Sequence, residues 1–194
     1  MPASAASPPN NADVTALARP DLRYHASWAL AVQEFEADGT TMHGSGLWEF
    51  DTADLSEAAL TPEIDRLLAE GDPATVLRPD RVHSTNYWIV EGEEFLGYLA
   101  VRHRLNDFLL ELGGHIGFSV RPSRRGEGHA TRALVLALDE ARRLGVERAL
   151  VTCDDDNLPS RLTIEHAGGV FEDQREDKLR YWFDLTDGSS AQLP

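Results

Sequence analysis

The chain is poor in cysteine, in lysine and in long apolar runs. One cysteine, Cys153, excludes an intrachain disulfide framework and fits a reducing compartment. One lysine, Lys178, leaves 17 of the 18 basic side chains to arginine. No stretch approaches the roughly 18 apolar residues that a membrane helix needs. Met1 to Asn10 lacks the basic flank and apolar centre of a secretory signal, so the expectation is a cytoplasmic protein with no membrane partner. Basic residues are themselves scarce: 18 against 33 acidic ones give a net charge of −15. That field repels nucleic acid, which is therefore not an expected partner.

What is present suits one globular domain. With 194 residues, 42% of them hydrophobic, the chain can bury a core without covalent staples. The Pro/Ala/Ser/Asn-rich residues 1–11 read as a disordered lead-in, 12–186 as a single domain and 187–194 as a flexible tail. Charge is unevenly spread. Arg121 to Arg132 holds four arginines and one glutamate, net +3 in twelve residues, which leaves −18 on the other 182. A cationic island in an acidic chain points to an anionic ligand there.

Periodicity divides the domain. Val14–Ala18 reads as a short strand. Pro20–Ala37 reads as an amphipathic helix, with Trp28, Val32 and Phe35 on one face and Gly39 as its stop. His43–Asp54 reads as loop. Thr61-Pro62-Glu63 has the form of a cap, a first-position proline and an acidic first turn, which predicts a short helix to Glu70. From Ser84 the period changes. Asn86–Val90 and Phe95–Arg104 form a hairpin, and His115–Val120 is a third strand. Gly128–Leu144 is a helix whose Ala130, Ala133, Leu134, Ala137, Leu138, Ala141 and Leu144 share a stripe. Ala149–Cys153 is a strand, Leu158–His166 a helix, and Val170–Glu172 and Arg180–Asp184 are closing strands. The order predicts an α/β (α+β) fold in which helices pack on a mixed sheet, rather than a doubly wound one.

The segment Arg121-Pro122-Ser123-Arg124-Arg125-Gly126-Glu127-Gly128-His129-Ala130 carries the chemistry. It follows a strand and opens the long helix. Gly126 and Gly128 admit a bulky group to the backbone, and the helix start offers unpaired N–H groups and the positive dipole end. Together these cradle a phosphate or diphosphate, with arginines adding attraction at the rim. A dinucleotide fingerprint would need a third glycine, and a P-loop would need G-K-[ST]. Neither is present, although a nucleotide-phosphate site of another kind stays open.

Arg125-x-x-Gly128-x-Ala130, preceded by Val120-x-Pro122, resembles the acyl-CoA loop of the GNAT superfamily of N-acetyltransferases. The likeness runs from Asn86 to Leu185. It includes Gly113-Gly114-His115-Ile116-Gly117-Phe118-Ser119-Val120, Val151-Thr152-Cys153-Asp154, Asn157-x-x-Ser160 and Ile164 to Val170. It is to an uncharacterised bacterial branch, which also tends to carry a stretch like Arg102 to Asn106. The resemblance implies a central sheet of six to seven strands, helices on both faces and a splayed fourth and fifth strand. It implies acetyl-CoA as co-substrate, with no metal. Phe118, Ser119 and Val120 would pair with the pantetheine arm, Arg125, Gly126, Glu127, Gly128, His129 and Ala130 would hold the diphosphate, and Asn157 and Ser160 would approach from the second helix. The reaction implied is direct acetyl transfer to a primary amine of a small molecule or peptide; the alternative is a CoA-binding module without turnover. A homodimer stays open.

That chemistry requires a base and an acid. His115 is the first candidate base, with Glu111 second; Glu34 and Glu36 offer a pocket lining, although a solvated helix face also explains them. His129 reads as a rim residue of the loop. For the acid, many relatives carry a tyrosine seven residues after the asparagine, where this chain has Ile164. Tyr181 or Tyr98 reaching across, or water, would substitute, or the thiolate would leave without specific help. Cys153 reads as a buried inert thiol.

Overall fold

The computed structural model describes residues 14–186, so the lead-in and tail expected at the two ends lie outside the described residues. Seven strands and four α-helices follow one another as β1 (Ala16–Ala18), α1 (His25–Asp38), α2 (Glu57–Ala69), β2 (Ser84–Glu91), β3 (Glu94–Arg102), β4 (Ile116–Val120), α3 (His129–Arg143), β5 (Arg148–Asp154), α4 (Leu158–His166), β6 (Val170–Arg175) and β7 (Lys178–Asp184). The expected single mixed sheet is two antiparallel ones, ordered β1-β2-β3-β4 and β5-β7-β6. They meet where β4 lies beside β5. The two strands join at one backbone hydrogen bond, His115 N–H to the Leu150 carbonyl at 2.6 Å. Beyond it no ladder forms among the described residues, so the strand pair splays as expected.

Two cores lie on opposite faces. The face carrying α1 and α2 buries Trp28, Val32, Phe35, Leu60, Ile64, Trp88, Phe95 and Tyr98. The other, under α3 and α4, buries Leu99, Ile116, Ala133, Leu134, Ala137, Leu138, Val151 and Ile164. With both faces of β2 and β3 covered, these strands read as nearly continuous apolar runs. Ile89 pairs with Gly97 and Val90 with Phe95, so Leu96 is an extra residue in β3. This bulge frees the Leu96 carbonyl, which accepts the Arg121 amide at 2.7 Å and ties the end of β4 to the hairpin.

Local rules explain most helix ends. Gly39 ends α1 at φ +68, the left-handed conformation that glycine adopts without strain. Asp21 caps a preceding single turn, Leu22–Tyr24, by accepting the Arg23 amide, so the helical region begins after Pro20 rather than on it. α2 departs further from expectation. It starts a turn before Thr61, because the Ser56 hydroxyl accepts the Ala59 amide, and Pro62 lies inside it. The Thr61 hydroxyl donates to the Glu57 carbonyl at 2.7 Å. The α3 stripe holds through Ala133 to Ala141, while Ala130 is half-buried and Leu144 is exposed at the helix end. Among the described residues, no helix is long and apolar enough to cross a membrane.

Candidate active site

The loop from β4 to α3 has the form of an anion cradle. Gly126 and Gly128 adopt φ +80 and +82, and Gly128 is the residue immediately before α3. Among the described residues, none of the six consecutive amides from Gly126 to Thr131 has a hydrogen-bond acceptor. Unpaired N–H groups at a helix start are the donors that a diphosphate uses. A Cβ built on Gly126 meets nothing within 4 Å, so the space above the bend is open.

The arginines correct the sequence reading, because the acidic chain has already claimed most of the cationic island. Arg121 is buried and forms ion pairs with Glu34 and Glu94. Arg124 pairs with Glu91, Glu94 and Glu127. Arg125 donates to Asp38 at 2.8 Å, to Thr40 at 2.9 Å and to the Val120 carbonyl at 3.1 Å. Among the described residues Arg132 alone of the four has no carboxylate partner; it donates to the Thr15 hydroxyl and the Glu127 carbonyl. The arginines thus brace the cradle more than they charge it. Glu34 also accepts the Ser123 amide, and so holds the loop to α1 rather than lining a pocket. The Arg121 guanidinium, despite partial burial, holds its carboxyl down at about 2.

His129 is likewise not a rim residue. Its ring is buried, 2.8 Å from the Thr15 hydroxyl and 3.1 Å from Glu127, and pins the first turn of α3 to β1. Its backbone amide stays in the cradle. Glu127 is exposed, and Arg124 and His129 keep its carboxyl below the usual range. Ala130 contributes an amide alone.

Along β4, Phe118 packs toward the α3 core, Ser119 donates its hydroxyl to the His43 carbonyl at 2.8 Å, and Val120 gives its carbonyl to Arg125. At the second helix Asn157 caps α4, its side-chain oxygen accepting the Ser160 amide at 3.1 Å. The Asn-x-x-Ser spacing is therefore a helix cap in its own right. The Asn157 side-chain NH₂ has no partner among the described residues.

The expected acid–base residues are scattered. His115 does sit at the splay, but as its joint: the Leu150 amide donates to its Nδ1 at 3.0 Å, and burial, aided by the Arg102 charge, lowers its pKa to about 4. Glu111 lies in a single wide turn, Leu109–Gly113, and its carboxylate meets Arg175 on β6, at the far edge of the second sheet. Tyr181 points under α4 and donates to Glu165 at 3.0 Å; burial pushes its pKa up to about 12. Tyr98 is fully buried and accepts the Trp28 indole N–H, with its pKa driven far above the usual range by burial. Ile164 is core, and the buried Cys153 thiol is pushed up to about 11. Replacing His115 by alanine leaves the Leu150 amide without its acceptor. We expect a loss of about 1–3 kcal/mol, read as a lower urea midpoint; an unchanged midpoint would contradict the joint.

One residue near the splay escaped the sequence reading. His43 lies in a segment expected only to be loop, yet its carbonyl is held by Ser119 of β4. No helical or strand period passes through it, so only the folded chain brings it there.

Comparison with known proteins agrees with this geometry. The family described as acetyltransferase (GNAT) domain matches residues 29–170. No curated protein sequence matches the chain. Solved structures of similar fold include Mycobacterium smegmatis RimJ in complex with CoA-disulfide, at 22% identity over 93% of this chain and 87% of that one, with a TM-score of 0.69. A ribosomal-protein-S5-alanine acetyltransferase from Vibrio fischeri aligns at 14% identity over 89% and 94%, with a TM-score of 0.63. The microcin C7 self-immunity acetyltransferase MccE, in complex with acetyl-CoA and AMP, aligns at 16% over 88% and 92%, with a TM-score of 0.61. At these identities the likeness is one of fold.

Proposed function

The chain belongs to the acetyltransferase (GNAT) family, whose co-substrate is acetyl-CoA, and from that premise we propose that it transfers the acetyl group directly to a primary amine of a small molecule or peptide. The observation that carries this reading is the row of six amides, Gly126 to Thr131, unpaired among the described residues and set at the end of a strand whose outer edge has no ladder partner among them. The amides would take the diphosphate. The β4 edge at Phe118 to Val120 would run beside the pantetheine arm, with Asn157 on the other side. An acetyl thioester lying in the splay faces strand N–H groups that can polarise its carbonyl. The amine nitrogen forms the new C–N bond as the C–S bond breaks, and the thiolate takes a proton.

The second reading, a module that binds CoA without turnover, draws on Ile164. No hydroxyl stands where many relatives have one, and Tyr181 is committed to Glu165. One experiment separates the two. The protein is incubated with acetyl-CoA and a panel of amino acids, polyamines and Ala- or Ser-initiated peptides, and free thiol is titrated. The enzyme reading expects release with at least one amine. Binding with no release on any amine overturns it in favour of the module. Acetyl-CoA at about 100 times its Kd should add about 2.7 kcal/mol of stability, visible as a raised Tm. If ATP displaced it at equal concentration, the cradle would be a general nucleotide-phosphate site.

A further inference from the structure

We propose that His43, on the loop following α1, is the base that takes the proton from the incoming amine; this rests on the acetyl-transfer reading. The loop crosses the sheet on the face opposite α3. Its main chain is pinned to β4 at and just after the histidine: Ser119 Oγ donates to the His43 carbonyl at 2.8 Å, and Gly44, at φ +78, sits so close that a Cβ would collide with the Gly117 carbonyl. The residue is open to solvent on one side while the surrounding chain covers part of its imidazole, and among the described residues neither ring nitrogen has a hydrogen-bond partner. A fixed backbone with a free ring is unlike the other histidines near the splay, His115 and His129, whose rings are tied down.

Strand alternation sets what surrounds it. Val151 and Cys153 point into the α3–α4 core, so Asp154 of β5 points to the opposite face, the one on which Ser119 of β4 meets the loop. The charged groups facing the ring are Asp154 on β5, Lys178 on β7 and Arg102 on β3. Asp154 is itself paired with Lys178. Burial by the surrounding chain, with the Lys178 and Arg102 charges, outweighs Asp154 and holds the imidazole below its ordinary 6.5. The ring is then neutral and free to accept a proton at physiological pH. Glu111, the second candidate base, is locked in an ion pair with Arg175, and Glu34, expected as a pocket lining, is locked to Arg121. An amine reaching the splay from this face passes the ring. Its nitrogen bonds to the acetyl carbon, one N–H proton goes to His43, and the departing thiolate is protonated by water. The imidazolium returns its proton to solvent through its open side.

The test uses the full chain and the amine that wild type turns over best. His43→Gln should lower kcat about 10²-fold, leave KM for acetyl-CoA within twofold, and erase the acid limb expected in the wild-type kcat/KM profile on the acid side of the ordinary imidazole range. Added imidazole should restore part of the rate to His43→Ala. A Tm within 2 °C of wild type, in a thermal scan, excludes misfolding as the cause. His43→Gln retaining more than half the wild-type kcat with the same acid limb would overturn the assignment while leaving the acetyl-transfer reading standing. Wild type binding acetyl-CoA yet releasing thiol with no amine would overturn both.

Discussion

Gly128→Val is expected to weaken CoA binding about 10³-fold while the protein stays folded. Gly128 stands at φ +82 immediately before α3, in the left-handed region that a β-branched residue adopts only under strain. A Cβ there would lie 2.8 Å from Arg132 Nη1, the movable end of a side chain, so the protein can yield at this point. The binding site cannot, because valine pulls the bend toward negative φ and turns the neighbouring amides off their common target. Losing two charge-assisted hydrogen bonds, each worth about 1.5–3 kcal/mol, corresponds to the fold-change expected. The stability cost should stay near 1–2 kcal/mol, a Tm drop of a few degrees. Gly126→Ala separates strain from obstruction: at φ +80 the alanine is strained too, but its methyl meets nothing in the protein and occupies only the space above the bend. Isothermal titration with CoA reads both variants. Wild-type affinity in Gly128→Val would place the co-substrate elsewhere.

Arg121→Met is expected to be the most destabilising change near the site, by about 3–5 kcal/mol. Arg121 is buried and donates to Glu34, Glu94, the Ser27 hydroxyl and the Phe95 carbonyl. Removing it strands Glu34, which α1 presents to the cradle loop. The pH dependence identifies the cause. Glu34 has a pKa of about 2 in the folded protein against an ordinary 4.5. A depressed carboxylate contributes stability that is full above the unfolded value and is lost as pH falls toward the folded one. The difference in unfolding free energy between wild type and Arg121→Met should therefore be largest above pH 5 and shrink from pH 4.5 to 2.5. A difference that is flat across that window would show that lost packing, not the ion pair, is responsible. CoA affinity should fall as well, since Arg121 and Ser123 are how α1 holds the loop.

These two positions show how differently parts of the site are written in the chain. Gly126 and Gly128 are legible without a fold, because a left-handed backbone before a helix is a local demand that selects glycine from a few neighbouring residues. The arginines beside them are not. Their charge is visible in the sequence, but whether it faces a ligand depends on carboxylates brought from 27 to 87 residues away, as the Arg121 pairs with Glu94 and Glu34 show. The same holds for Asn157-x-x-Ser160, where one spacing serves a helix cap and a ligand contact alike.

The sequence by itself determined the succession of helices and strands, the stripe of α3 and the bend at Gly126–Gly128, since each follows from apolar period or backbone sterics over a few adjacent residues. Only the tertiary structure decided that the splay opens from a single His115–Leu150 hydrogen bond, that three of the four loop arginines are neutralised, that His115 is a joint, and that a loop without periodicity sets His43 against β4. The physical reason is range: torsional preference and hydrophobic period act between neighbours, whereas a hydrogen-bond partner or a counter-charge is chosen by whichever distant segment the packed core carries alongside.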